Sequence, residues 1–187
     1  MTMTWVLLLA IVVLVLAGVG IYNSLIALRA RADAAWSDVN VQLKRRHDLV
    51  GNLVETVKGY ASHERSTLEQ VIEARNRATG AAGSGHPKEA GQAENALTAQ
   101  LRALFALAEA YPDLKASQNF QDLQRSLESL ETGIQNARRY YNAVVRDLNT
   151  RIQSVPSVVV ARLFGFGERE YFELSDAAEA QVPAVRF

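Results

Sequence analysis

Two patterns of apolar and polar positions alternate along the chain. Residues 5–22 hold no charged side chain at all, and beyond them apolar or small residues recur every three or four positions with polar ones between. The first run would extend about 27 Å as a helix, close to the roughly 30 Å hydrocarbon core of a bilayer. Trp5 and Tyr22 bracket it, as amphipathic rings do when they settle at the two headgroup levels. A buried helix of a soluble core is the alternative, and so long an uninterrupted run argues against it. The pattern therefore predicts a transmembrane anchor over residues 1–22 that contacts the lipid bilayer through residues 5–22.

The body that follows reads as helix. One stripe runs through Leu25, Leu28, Ala32, Trp36, Val39, Leu43, Val50, Val54, Val57, Ala61, Leu68 and Ile72, with His47, Glu64 and the aliphatic stem of Arg75 on the same line. Leu97, Leu101, Leu104 and Ala108 form a second stripe. A third runs Phe120, Leu123, Leu127, Leu130, Ile134, Ala137, Tyr141, Val144, Leu148 and Ile152. No alternating strand pattern competes. Residues 80–87, rich in glycine, read as a loop with Pro87 opening the next helix. Residues 111–113 make a second turn, Ser117 is an N-cap for the third long helix, and Pro156 closes that helix. Residues 158–167 form a short apolar packing segment, and 168–187 an acidic, loose tail.

Stripes this long with polar opposite faces bury themselves only against one another. The expectation is an all-α chain: an N-terminal transmembrane helix followed by an antiparallel helical bundle over 23–167, with three long helices and a short C-terminal segment. Gly51 falls inside the first stripe, which keeps its phase from Leu43 through Val57. A mid-helix glycine costs roughly 1 kcal/mol, too little to break a well-packed helix, so one helix is predicted over residues 23–79, with a hairpin at Gly51-Asn52 as the alternative. Heptad-like spacing also leaves a homo-oligomer open, built through an unfilled seam.

Charge and cysteine content narrow the classes. Twenty Lys plus Arg balance twenty Asp plus Glu, so no overall field draws the chain to nucleic acid, which is excluded as a partner. No Lys or Arg precedes Trp5, as a cleaved signal peptide would require. Leu16-Ala17-Gly18-Val19 looks like a lipoprotein box with Val in place of the modifiable Cys, and with no Cys anywhere neither lipidation there nor a disulfide can form. Arg29 and Arg31 lie just past the anchor, which favours a cytoplasmic body over a periplasmic one.

Motifs for chemistry are missing. There is no Glu-x-x-His pair of the kind metal-carboxylate bundles use, and His63-Glu64 has no second His four residues after His63. No Gly-x-Ser-x-Gly elbow is present, and the glycines of 80–85 lack the Gly-Lys-Ser or Gly-Lys-Thr ending of a phosphate loop. No catalytic residue, cofactor or metal ligand is predicted, and the chain is expected not to be an enzyme. Two polar clusters stand out: residues 44–48 with Asn52 and Glu55, and residues 136–142 with Asp147 and Asn149. They read as flank charges making helix pairs, with His47 and Tyr141 at the seam edge, or as a partner-binding face carried by Arg45, Arg46, Asp48, Glu55, Arg138, Arg139 and Tyr140.

The same clusters, together with residues 23–29, 35–39, 42–60 and Leu163-Phe164-Gly165-Phe166, resemble the LemA family in order and spacing over nearly the whole chain. The resemblance implies a bacterial, single-pass inner-membrane protein with an all-helical, bundle-like domain. It brings no established enzymatic activity, and one branch of the family is associated with magnetosome membrane formation. Family members usually have Pro where Gly51 stands, implying a softer kink here, and some Gram-negative members look like lipoproteins with Cys where Val19 stands, implying an envelope-facing domain. The leading expectation is a non-catalytic, membrane-anchored bundle that scaffolds or recruits other membrane or envelope proteins through an unidentified protein partner. The second is a sensor that grips an anion or lipid headgroup with Arg45, Arg46, Arg138 and Arg139, since paired guanidiniums bind phosphate or carboxylate bidentately.

Overall fold

The computed structural model describes residues 2–174. Six helices follow one another, and no strand occurs among the described residues: α1 (Thr2–Tyr60), α2 (Arg65–Gly83), α3 (Pro87–Ala108), α4 (Pro112–Ala116), α5 (Gln118–Gln153) and α6 (Ser157–Leu163). The all-α expectation holds, with a long apolar N-terminal helix and a bundle after it. Over the first part of α1 the mean hydropathy reaches 2.8 in a window with no buried residue, so this stretch is long and apolar enough to cross a membrane.

The chain divides into two compact units. One combines residues 2–38 with 139–170, the other residues 39–138 with 171–174, as far as the chain is described. In the first unit Leu25, Ala32 and Ala35 of α1, Val145 and Leu148 of α5 and Ala161 of α6 are buried, and the rings of Trp36 and Tyr141 meet at 5.3 Å. In the second, Val50, Leu53 and Val57 of α1, Val71 and Ala74 of α2, Leu97 and Leu104 of α3, Leu114 of α4 and Phe120 of α5 form a continuous core.

Gly51 does not interrupt α1, which is one helix through that position. A Cβ there would sit 3.6 Å from the Arg75 guanidinium, an ordinary van der Waals contact. Gly51→Ala should therefore stabilise the fold by up to about 1 kcal/mol, the helix-interior difference between the two residues, read as a higher urea midpoint. The helix expected over 23–79 nevertheless ends at Tyr60, and residues 61–64 turn the chain into α2. The turn resets the stripe's phase. Leu68, Val71, Ala74, Ala78 and Ala81 are the buried face of α2, whereas Ile72, on the predicted line, is exposed. Tyr111 donates to Glu64 Oε1 at 3.1 Å and so ties this turn to the segment between α3 and α4. Desolvation chiefly, then the Glu64 hydrogen bond, pushes the Tyr111 pKa up.

Two further expectations are corrected. The glycine-rich stretch is helical as far as Gly83, because Ala78 packs into the core and Ala81 is buried on the same face, which outweighs its poor propensity; the connector shrinks to residues 84–86, with Gly85 at φ +77°. Pro87 does open α3, and the Ser117 carbonyl accepts the Gln121 N–H at the start of α5. The tail is not loose where it is described. In the first unit Asn149 clamps the Arg169 backbone, its Nδ2 donating to the carbonyl and its Oδ1 accepting the N–H, both at 2.9 Å, while Arg169 pairs with Asp33. In the second unit Phe172 is buried and the Leu174 carbonyl accepts from Arg138. Residues 175–187 of the predicted tail lie outside the described residues.

Tyr141 is buried in the first unit and donates to the Glu170 carbonyl at 2.9 Å. Its pKa is pushed up to about 12, mainly by desolvation, with Arg169 opposing and Glu170 and Asp33 adding to the rise. A folded pKa above the usual 10 means that the contribution is intact below about pH 10 and is lost as pH rises towards 12. Absorbance titration of the six tyrosines should show one phase near pH 12 that vanishes in Tyr141→Phe.

Candidate functional site

The polar heart of the second unit is built on positions that keep the apolar phase. In α1, Arg46 and His47 lie one turn from Leu43 and Val50, and in α3 Glu94 lies between Ala90 and Leu97 on the buried face. The three side chains meet in the interior, with relative exposures of 6% for Arg46, 4% for His47 and 0% for Glu94. Arg46 Nη1 donates to Glu94 Oε2 at 3.2 Å, and Nη2 donates to Thr98 Oγ1 at 2.8 Å. His47 Nε2 sits 2.6 Å from Glu94 Oε1. A carboxylate that takes an arginine N–H on one oxygen accepts on the other as well, so Nε2 is the donating nitrogen. His47 Nδ1 faces Thr79 Oγ1 at 3.2 Å, and Arg75 Nε caps the His47 carbonyl at 2.6 Å. This cluster locks α1, α2 and α3 together.

Arg46 also reaches the wall of a cleft of about 420 Å³ between α3 and α5. Leu101, Phe105 and Leu127 supply its apolar floor. Asn95, Arg102, Gln124, Glu128, Glu131 and Gln135 form a polar rim, and Leu174 closes one side. Glu131, half exposed on α5, stands 3.5 Å from Arg46 Nη2, so the cleft is in electrostatic contact with the buried cluster. A broader groove of about 740 Å³ runs between α1 and α5, lined by Gln42, Arg45, Asp48, Asn52, Arg125 and Ser129 among others.

The seven residues proposed as a partner face separate on this scaffold. Arg45 and Asp48 line the broad groove and are exposed. Glu55 is exposed on α1 and pairs with Lys58 at 3.9 Å. Arg46 and Arg138 are corrected: both are buried, Arg46 on Glu94 and Arg138 with Nη1 on the Leu174 carbonyl at 2.7 Å. Their long stems cover apolar surface and their heads are used inside the protein, so they do not form an open grip for an anion. Arg139 and Tyr140 are exposed in the first unit. Among the described residues no three His, Asp or Glu side chains are grouped as metal ligands would be. Glu94, Thr98 and the floor residue Phe105 were not singled out by sequence. An acidic residue on the stripe Ala90, Glu94, Leu97, Leu101 was the available signal.

Comparison with known proteins gives the family setting. The LemA family model matches residues 35–187. The magnetosome protein MamQ of Magnetospirillum gryphiswaldense is 25% identical over 185 residues, covering 86% of this chain and 68% of its own. MamQ 2 of Paramagnetospirillum magneticum matches with the same identity and coverage, 25% over 185 residues.

Proposed function

The chain belongs to the LemA family, and from that premise we propose that it is a membrane-anchored, non-catalytic scaffold that recruits another protein through the cleft between α3 and α5. The observation that carries this reading is the make-up of the cleft: an apolar floor with an aromatic ring, Phe105, inside a rim of mixed charge. That is the arrangement of a protein interface, where a few apolar anchors bind and the polar rim selects. The apolar run of residues 5–22 supplies the anchor, and relatives named as magnetosome proteins are in keeping with a membrane setting. The Arg29 and Arg31 flank favours a body on the cytoplasmic side of a bacterial inner membrane over a periplasmic one.

Photo-crosslinking in intact cells tests it. A crosslinking side chain at Phe105 or Gln124 should yield a discrete adduct with a second protein, and Leu101→Asp, which puts a charge into the floor, should abolish it. Ser129, in the broad groove, serves as the reference position. The same adducts at Ser129 as at Phe105, or none at any site, would sink the assignment. Adducts with a second copy of the chain alone would replace recruitment by self-assembly.

A further inference from the structure

The segment 155–164 carries its large apolar side chains on the wrong side for a soluble protein. Ser157 and Ala161, both small, are the buried residues of α6, whereas Val155, Val159 and Leu163 are 85%, 67% and 77% exposed. Val159 and Leu163 are one turn apart on the outer face, and exposed Phe164 continues it. An outward apolar patch of this kind marks an interaction surface.

Its location within the first unit says what covers it. Gly165, at φ +69°, ends α6: the Phe166 N–H bonds back to the Ala161 carbonyl and the Gly165 N–H to the Arg162 carbonyl. That turn lays two rings on α1, Phe164 at 4.8 Å and Phe166 at 5.7 Å from the ring of Tyr22. Tyr22 is the last residue of the apolar run and marks its headgroup level. The patch on α6 is thus joined through Phe164 to the end of the anchor, where Val19 and Ile26, one turn to either side of Tyr22 on α1, are also exposed. Charge points the same way. Between Asp147 and Glu168 the chain has no acidic residue, and its only charged side chains there, Arg151 and Arg162, are both basic and exposed.

We propose that α6 and its flanks form a second membrane contact, lying in the headgroup–acyl boundary of the leaflet where the anchor emerges, with Val155, Val159, Leu163 and Phe164 inserted and Arg151 and Arg162 reaching anionic headgroups. The occupant is lipid, because an apolar face flanked along the chain by Arg151 and Arg162, next to a membrane span, matches the chemistry of an anionic bilayer surface, while the Glu168 carboxylate at this end of the unit is engaged by Gln153 Nε2 at 2.8 Å. This rests on the anchored reading of residues 5–22. The contact fixes the rotation and tilt of α1, which a single apolar helix leaves free.

The test uses the full chain reconstituted into vesicles of phosphatidylcholine and phosphatidylglycerol. The protein has no cysteine, so single substitutions Val159→Cys, Leu163→Cys, Leu9→Cys and Ser129→Cys each take one environment-sensitive fluorophore without background. Probes at 159 and 163 should be quenched severalfold more than the probe at 129 by a nitroxide high on the acyl chain, and should lose access to aqueous iodide. The probe at 9 should answer to a nitroxide deep in the bilayer. If the probe at 9 is deep while those at 159 and 163 behave like the probe at 129, the anchor stands and the second contact is overturned. If 159 and 163 are shielded from both lipid and water, protein covers them, which also overturns it. A probe at 9 that is quenched by iodide removes the anchored reading and this inference with it.

Discussion

Replacing Glu94 by alanine is expected to destabilise the second unit by about 3–5 kcal/mol, the cost of stranding a buried charge whose partner is removed. Glu94 is fully buried and serves two donors at once, Arg46 Nη1 at 3.2 Å and His47 Nε2 at 2.6 Å. Without it the Arg46 guanidinium keeps only the Thr98 hydroxyl and half-exposed Glu131, while the His47 N–H faces a cavity. Since domain stabilities run to about 5–15 kcal/mol, this is a large fraction of the total. At an m-value of roughly 2 kcal/mol/M the urea midpoint should fall by about 1.5–2.5 M, followed by circular dichroism on the full chain in mild detergent. Glu94→Ala combined with Arg46→Met and His47→Leu should recover most of the loss, because an apolar set of similar volume removes the unpaired charge. A single mutant within about 0.5 kcal/mol of the parent would show that the cluster does not hold the helices.

The buried cluster also shows how far the sequence could be read. The phase of α1 already held the answer for Arg46: Val39, Leu43, Arg46, Val50 and Val54 follow one line of three and four. The run Lys44-Arg45-Arg46-His47-Asp48 hid it, because a block of charges reads as a solvated face and only three-dimensional packing reveals which members turn inward. Arg138 repeats the case between Ile134 and Tyr141. Helix class, the long apolar N-terminal helix and the helix start at Pro87 were legible because hydrophobic period and local propensity agreed there, and continuity through Gly51 because the unbroken apolar phase outweighs the roughly 1 kcal/mol that a mid-helix glycine costs. The break at residues 61–64 was not, since Ala61-Ser62-His63-Glu64 holds neither Gly nor Pro and the apolar spacing could be continued across it. The outward face of α6 looked like core for a related reason. A valine-rich segment has the same composition whether it is covered by protein or by lipid.

What no local pattern could signal is the docking of the C-terminal segment, and Gly91 is where that docking is most exposed to test. Gly91 lies buried on α3, and a Cβ at that position would come within 2.3 Å of the Glu173 carbonyl oxygen and 3.1 Å of its carbon. Both are backbone atoms, so no side-chain rotation relieves the clash and the segment 171–174 must move. Gly91→Ala gains about 1 kcal/mol in helix propensity. Against this stand the burial of Phe172, worth about 2–3 kcal/mol, and the Arg138 hydrogen bond to the Leu174 carbonyl, about 1.5–3 kcal/mol because its donor is charged. The net loss of at least about 2 kcal/mol falls on local opening, since residues 171–174 belong to none of the helices and can leave without unfolding them. Hydrogen exchange at 172–174 and chymotryptic cleavage after Tyr171 and Phe172 should therefore rise by about 30-fold, at 1.4 kcal/mol per tenfold. Gly133→Ala is the control. Its Cβ would meet only the Gln42 side chain, at 3.5 Å, so helix propensity alone should act and protection of 172–174 should not change. Because Leu174 closes one side of the cleft between α3 and α5, Gly91→Ala should also weaken the Phe105 crosslink while Gly133→Ala leaves it intact. Unchanged exchange at Phe172 in Gly91→Ala would mean that the segment is not held against α3 in solution.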